Sequence, residues 1–256
     1  MPPGPLPSSS QPPSASPRSV EALLRELPGL RRAPQTPGAL EAPRRWPTGL
    51  AALDRLLGGG LPGGGLSEIA GPASSGRTSL ALALLTTTTR AGEAAAFVDA
   101  ADAFDPTSAQ AAGADLERTL WVRTRDRREA LRAAHLLARA RGFALILLDL
   151  TRSEDPGAPH AEDGSVLRLS RAVSGDRAAL VLLGERRRAG SWAELALELR
   201  SLRPRFAGTP PLLEALESEV EVVRRRRGPP GGAVRLHFRP PHVPPHPPGP
   251  LSASLP

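Results

Sequence analysis

The sequence contains no cysteine, lysine, asparagine or tyrosine, and its isoleucines are Ile69 and Ile146 alone. Without cysteine there is no disulfide framework, no thiolate metal site and no cysteine nucleophile. Lys, Asn, Tyr and Ile share A/T-rich codons, so a GC-rich coding sequence accounts for the whole set. All 33 basic residues are therefore arginines. Aromatics make up only 3% of the chain, which argues against nucleic-acid recognition by serial base stacking. No apolar run approaches the ~20 residues of a membrane span. Met1 to Gln11 has neither the basic start nor the apolar core of a signal peptide. The expectation is a cytoplasmic protein with no membrane partner.

Most of the 30 prolines fall in residues 1–43 and 240–256. These ends read as disordered tails, Pro/Ser-rich at the front and Pro-rich at the back. A short amphipathic helix is expected near residues 19–27, with Ser19 as its N-cap and Pro28 as its stop. Between the tails, residues 44–239 read as one packed core. The formal charge is +7, and Arg186–Pro256 carries twice as many arginines as glutamates. That points to a polyanion partner such as DNA, or to a solvated arginine-rich surface.

From Trp46 onward, strands and helices alternate. Leu66–Ala70 predicts a strand, Thr78–Arg90 a helix, and Ala94–Val98 and Leu120–Val122 two further strands. Asp126–Arg141 predicts a helix with Ala130, Leu131, Ala134, Leu137 and Ala138 on one face and arginines on the other. Phe143–Leu148 and Ala178–Leu183 are unbroken apolar runs. Such runs between helices indicate a parallel sheet covered on both faces. Ala193–Leu199, Glu219–Val223 and Ala233–Phe238 alternate with period 2 and predict antiparallel strands that extend the sheet. The fold class is α/β, largely parallel.

Gly71-Pro72-Ala73-Ser74-Ser75-Gly76-Arg77-Thr78 stands between a strand and a helix, where a phosphate-binding loop belongs. Backbone N–H groups from Gly71, Ser74, Ser75, Gly76 and Arg77 into Ser79 would cradle phosphates. Thr78 and Asp149, which ends a later apolar run, would hold Mg²⁺ with a bound ATP. The position of the usual loop lysine is Arg77, a cation with a bulkier planar head.

Thr48-Gly49-Leu50, Leu53-Asp54 and Gly58-Gly59-Gly60-Leu61-Pro62 resemble the lead-in of the RecA/RadA recombinase superfamily. The loop itself resembles RecA's variant, as does Phe97-Val98-Asp99-Ala100 with Asp105-Pro106. The resemblance runs from about Trp46 to Phe238 and implies a RecA-like P-loop fold that binds ATP with Mg²⁺. In that pattern the residue after Asp-Ala is a glutamate that activates water, and here it is Ala101. The Asn-Gln pair that ends a later strand is replaced by Gly184-Glu185. A lost general base costs ~10²–10⁴ in rate.

The first DNA-binding loop of the pattern would be Thr151–Asp163, and the second shrinks to Arg186, Arg187, Arg188, Ala189 and Gly190. Arg224, Arg225, Arg226 and Arg227 could also meet DNA phosphates, or could form a charged strand end that discourages edge pairing. A degraded RecA core with Gly228-Pro229-Pro230-Gly231 resembles the ImuA-type accessory proteins. That resemblance implies a pseudoenzyme of the SOS response, acting in translesion synthesis and damage-induced mutagenesis. Its partners would be RecA recombinase, an inactive Y-family-like polymerase homologue and an error-prone polymerase. The alternatives are a divergent DNA-stimulated ATPase, with Asp102 substituting for the missing carboxylate, and an ATP-locked switch. His242 and His246 are separated by prolines, so no helical metal pair is expected. His135 and the tryptophans Trp46, Trp121 and Trp192 read as packing or surface residues.

Overall fold

The computed structural model describes residues 44–151, 164–228 and 231–240. The expected tails, the helix near 19–27, most of Thr151–Asp163, the pair Pro229-Pro230 and His242/His246 lie outside the described residues.

The chain opens with β1 (Arg45–Trp46), which pairs antiparallel with β2 (Leu61–Pro62) around the helix α1 (Ala51–Leu57). The Thr48-Gly49-Leu50…Asp54 pattern has a physical cause. Asp54 Oδ1 accepts from the Thr48 backbone N–H at 2.7 Å, and Thr48 Oγ1 accepts from Leu50 N–H at 3.2 Å. Gly49, at φ 80, lies so close to the next helix that a Cβ would stand 2.1 Å from Thr87 Oγ1. Trp46 is buried and donates through Nε1 to the Arg177 carbonyl at 2.6 Å, tying β1 to the segment just before Ala179.

The parallel body comprises β3 (Gly65–Ala70), β4 (Ala95–Asp99), β5 (Thr119–Arg123), β6 (Leu145–Asp149) and β7 (Ala179–Gly184). The helices between them are α2 (Arg77–Arg90), α3 (Pro106–Ala111), α4 (Arg127–Ala140) and α5 (Gly164–Val173). Then follow β8 (Leu195–Ala207), β9 (Leu212–Arg225) and β10 (Ala233–Phe238). Among the described residues the order is β10-β9-β8-β3-β7-β6-β4-β5, with β9 and β10 antiparallel to their neighbours. This is the expected largely parallel sheet with an antiparallel C-terminal extension.

Each strand sends alternate residues to opposite faces. Ile69, Phe97, Leu145, Leu147, Val181 and Leu183 pack with Leu80, Leu84 and Leu85 of α2. On the other face, Ala130, Leu131, Ala134 and Ala138 of α4 and Val166, Leu169 and Val173 of α5 are buried. Asp126 caps α4 by accepting from Glu129 N–H at 2.8 Å, and Glu129 accepts in return from Arg125 N–H at 2.9 Å, a reciprocal arrangement like a capping box.

Two expectations change. The strand placed at Ala193–Leu199 starts at Leu195 and runs on to Ala207, and its partner runs from Leu212 rather than from Glu219. Only the first residues of β8 touch β3, at Ser67–Ala70. Beyond the stretch of β9 that pairs with β10, Phe206–Ala207 and Leu212–Leu213 form the tip of a two-stranded ribbon, with Phe206 at 61% and Leu212 at 69% exposure. A ribbon wet on both faces has no reason to alternate, so its period-2 signal is absent. Helix α5 was also not anticipated, although Val166, Leu169 and Val173 have helical spacing.

Candidate nucleotide-binding site

The parallel strands end in register. Ala70 pairs with Gly184, Leu183 with Asp149, Asp149 with Asp99, and Asp99 with Arg123. Their C-terminal ends thus form one edge, where open α/β sheets bind ligands. The loop Gly71–Gly76 rises from this edge and α2 starts at Arg77. Ser74 has φ 60 and Gly76 φ 95, so the loop backbone turns tightly. Of the amides expected to cradle phosphate, Gly71 N–H donates to the Gly184 carbonyl at 3.3 Å and Ser75 N–H to the Pro72 carbonyl at 3.2 Å. Pro72, Ala73, Ser74 and Thr78 are exposed, while Ser75, Gly76 and Arg77 are buried and Ser79 is half-buried.

Three buried polar atoms around the loop have no protein partner: Ser75 Oγ, Arg77 Nη1 and Ser218 Oγ. A buried guanidinium nitrogen without an acceptor is costly, and a phosphate oxygen would satisfy it. Ser218 comes from β9, and β10 delivers Phe238 to the same place. A Cβ on Gly76 would stand 2.7 Å from Phe238 Cε2 and 3.0 Å from Ser218 Oγ. The antiparallel extension therefore walls the loop. No local signal marked Ser218 or Phe238, because they reach the site only through the sheet order.

Asp149 is 4% exposed and accepts from Thr151 N–H at 2.9 Å. Burial pushes its carboxyl above the ordinary range and the nearby Asp99 adds to this, against the opposing pull of the Thr151 bonds and of Arg77. Mg²⁺ commonly takes one or two protein oxygens, its remaining ligands being water and substrate phosphates. Thr78 and Asp149 fit that role, and with Arg77 and the loop amides they fit ATP with Mg²⁺. The bound nucleotide would supply a transferable phosphoryl group. The residues of this chain that would hold its phosphates are those of the loop with Arg77 and Thr78.

The carboxylate slot is different. Asp99 is buried and accepts from Ala101 N–H at 3.0 Å, Ala103 N–H at 3.1 Å, Phe104 N–H at 3.0 Å and Trp121 Nε1–H at 3.4 Å. Phe104 packs on Phe97 and Trp121 at ring-centre distances of 4.6 and 5.3 Å. The segment is thus fixed with the Ala101 methyl at 4% exposure. Asp102, at φ 50, turns to Arg123, whose Nη2 donates to Oδ1 at 2.7 Å and Nε at 3.0 Å. Arg123 ends β5, four strand positions from β3, or ~19 Å at the usual spacing. Asp102 is therefore occupied away from the loop.

Asp99→Asn would leave one acceptor oxygen for these donors. We expect a loss of about 2 kcal/mol, read as a lower urea midpoint with Trp121 emission shifted to the red. An unchanged midpoint would mean that ring packing alone fixes the segment.

Glu185, Arg186 and Arg187 border a cleft of ≈ 350 Å³ beside Gly71 and Pro72. Arg187 pairs with Glu198 at 2.7 Å. The backbone N–H groups of Arg188 and of Ala189, the latter at 2.9 Å, donate to Glu68 Oε1 from a buried Glu68. Arg224 lies towards the opposite edge, donating to the Ala193 carbonyl at 2.8 Å and the Ser191 carbonyl at 3.2 Å. Arg225 donates to the Leu56 carbonyl at 2.7 Å and Arg226 to Glu194 at 3.0 Å, while Arg227 is exposed. Three members of the second run are therefore engaged with the chain itself, Arg224 with the segment that follows the first run. Trp121 is half-buried, Trp192 is 39% exposed, and His135 is half-buried on α4.

Residues 41–166 match the RecA N-terminal domain family. The chain is 40% identical to the RecA protein of Picosynechococcus sp. over 112 residues, which is 44% of this chain and 32% of that protein. It is 43% identical to the RecA protein of Rubrobacter xylanophilus over 112 residues, and 43% identical to that of Thermus thermophilus over 113, each alignment covering 33% of the relative. The matched segment thus spans about a third of the length of these proteins. The crystal structure of the RadB recombinase superposes with a TM-score of 0.58 at 24% identity, covering 76% of this chain and 95% of that one. Among the described residues, no helix is long and apolar enough to cross a membrane. Loop, strand order and matched segment agree: residues 41–166 match the RecA N-terminal domain family, and the fold is RecA-like.

Proposed function

We propose that this chain is a catalytically degraded RecA-like accessory protein of the DNA damage response. It binds ATP with Mg²⁺ and acts in error-prone, translesion repair through contacts with a recombinase or a polymerase. RecA recombinase, an inactive Y-family-like polymerase homologue and an error-prone polymerase are the proposed partners. One observation carries the reading. The slot for a water-activating carboxylate holds the buried methyl of Ala101, and its neighbour Asp102 is bound to Arg123. Nothing else in the 100–104 segment can take a proton from water. The phosphate-holding parts, by contrast, are intact apart from Arg77 standing for lysine. A site that keeps binding and loses the base is suited to sensing nucleotide, with turnover ~10²–10⁴ below that of a complete site.

Single-turnover ATP hydrolysis, with protein in excess and with or without single-stranded DNA, tests this. The expected result is bound nucleotide with hydrolysis at least 10²-fold slower than a recombinase assayed alongside. DNA-stimulated hydrolysis at the recombinase's rate would overturn the reading.

A further inference from the structure

Helices α4 and α5, with the residue that follows α4, carry seven arginines and one acidic residue, Glu129. Glu129 is spent on the N-terminus of α4, where it accepts from Arg125 N–H. Arg128, Arg132 and Arg139 fall on one stripe of α4, and Arg168 and Arg171 face them from α5. Between the helices lie two adjoining hollows of ≈ 640 and ≈ 460 Å³ that share His135 and Arg168 and have no acidic residue among their described lining. Arg128, Arg132, Arg139, Arg141, Arg168 and Arg171 are all exposed.

Elsewhere seven of the described arginines meet acids. Arg44 and Arg177 pair with Glu93, Arg118 with Asp115, Arg123 with Asp102, Arg187 with Glu198, Arg200 with Glu219 and Arg226 with Glu194. Among the described residues, none of Arg128, Arg132, Arg139, Arg141 and Arg171 has such a pair. The local field also registers on His135, whose imidazolium is disfavoured first by burial and then by Arg139 and Arg168.

We propose that the α4–α5 groove is a docking surface for the phosphate backbone of duplex DNA. The guanidinium fork matches phosphate oxygens. From Arg128 to Arg139 the stripe is ~16 Å long at 1.5 Å per residue, which spans about five phosphates of one strand at 3.4 Å of axial rise each. No Phe, Trp or Tyr is among the described lining of the groove, so single strands, which are held largely by stacking, gain little there. A protein partner would need buried aromatic or aliphatic anchors. Among its described lining the one large apolar side chain is Leu131, itself 8% exposed. Contact through phosphates alone makes binding independent of sequence and steeply dependent on salt.

The test is fluorescence anisotropy of a labelled mixed-sequence duplex with the full chain, without nucleotide or partner protein, across a salt series. For Arg132→Ala/Arg139→Ala/Arg171→Ala, the slope of log affinity against log salt should shrink by ~2–3 and affinity should fall at least tenfold. The charge-matched control Arg55→Ala/Arg118→Ala/Arg123→Ala should keep the wild-type slope. The charge reversal Arg132→Glu/Arg139→Glu should abolish binding with the thermal midpoint retained. Equal losses in control and groove variants would overturn the proposal, as would poly-glutamate binding tighter than duplex. Because neither nucleotide nor partner is present, that failure would leave the accessory role standing.

Discussion

Gly76→Ala is expected to weaken ATP binding on the order of 10²-fold and to destabilise the fold by about 2–5 kcal/mol. Two causes add. At φ 95 an L side chain meets the carbonyl sterics of the left-handed region, at ~1–2 kcal/mol. The new methyl also collides with the ring edge of Phe238, at 2.7 and 2.9 Å, and with Ser218 Oγ. Overpacking of that kind costs ~1–3 kcal/mol. The collision can move β10 out or the loop in, and either displaces the amides that would hold phosphate. A fluorescent ATP analogue and a thermal melt read the two effects. Phe238→Leu in the same chain should recover part of the stability, because the ring edge is gone while the backbone strain remains. Strict additivity of the two substitutions would show that Phe238 does not press on the loop.

Glu68 carries the second large effect, and its sign depends on what replaces it. Glu68→Ala removes the acceptor for Arg188 N–H and Ala189 N–H, leaving two amides to be satisfied beside a buried site. We expect a loss of about 2–4 kcal/mol and faster hydrogen exchange across residues 186–189. Glu68→Gln keeps an oxygen at Oε1 for both amides and discards the charge. Burial is the largest influence on this carboxyl and pushes it above its ordinary 4.5, outweighing the pull of the two amides and Arg187. A carboxyl raised on folding binds its proton more tightly in the folded state. Its contribution to stability is therefore full at acid pH and is lost as pH rises through the raised value. Glu68→Gln should match the wild type below pH 4.5 and exceed it at neutral pH. If urea midpoints of the two proteins run parallel across that range, the burial argument fails.

Glu68 also illustrates what the sequence hides. In Leu66-Ser67-Glu68-Ile69 it is a carboxylate on the strand face it shares with Leu66 and Ala70, and it is 2% exposed. The amides that justify its burial arrive about 120 residues later, so no local pattern could announce them. The phosphate loop was legible because its chemistry is contiguous: strand, glycine turn and helix lie within a few residues. Asp149 was legible because it ends an apolar run that can only be a buried strand. The wall of the site was not, since Ser218 and Phe238 belong to strands set beside the loop by the crossover from β7 past β3 to β8. Arg224 to Arg226 looked like a cationic strand end for the same reason. Their acceptors, the carbonyls of Ala193, Ser191 and Leu56 and the carboxylate of Glu194, are distant in the chain.

The placement of Phe238 against Gly76 has a consequence in time. The phosphate loop leaves the ribosome early, whereas the strand that closes it is made roughly 160 residues later, ~10–30 s afterwards at ordinary rates of synthesis. Through that interval the nascent chain has a glycine-rich turn with no outer wall. Capture of a nucleotide in the finished geometry must wait for β10. A chain broken off before Ala233 would leave the loop open for its whole lifetime, so the competence of the site reports on whether synthesis reached its final strand.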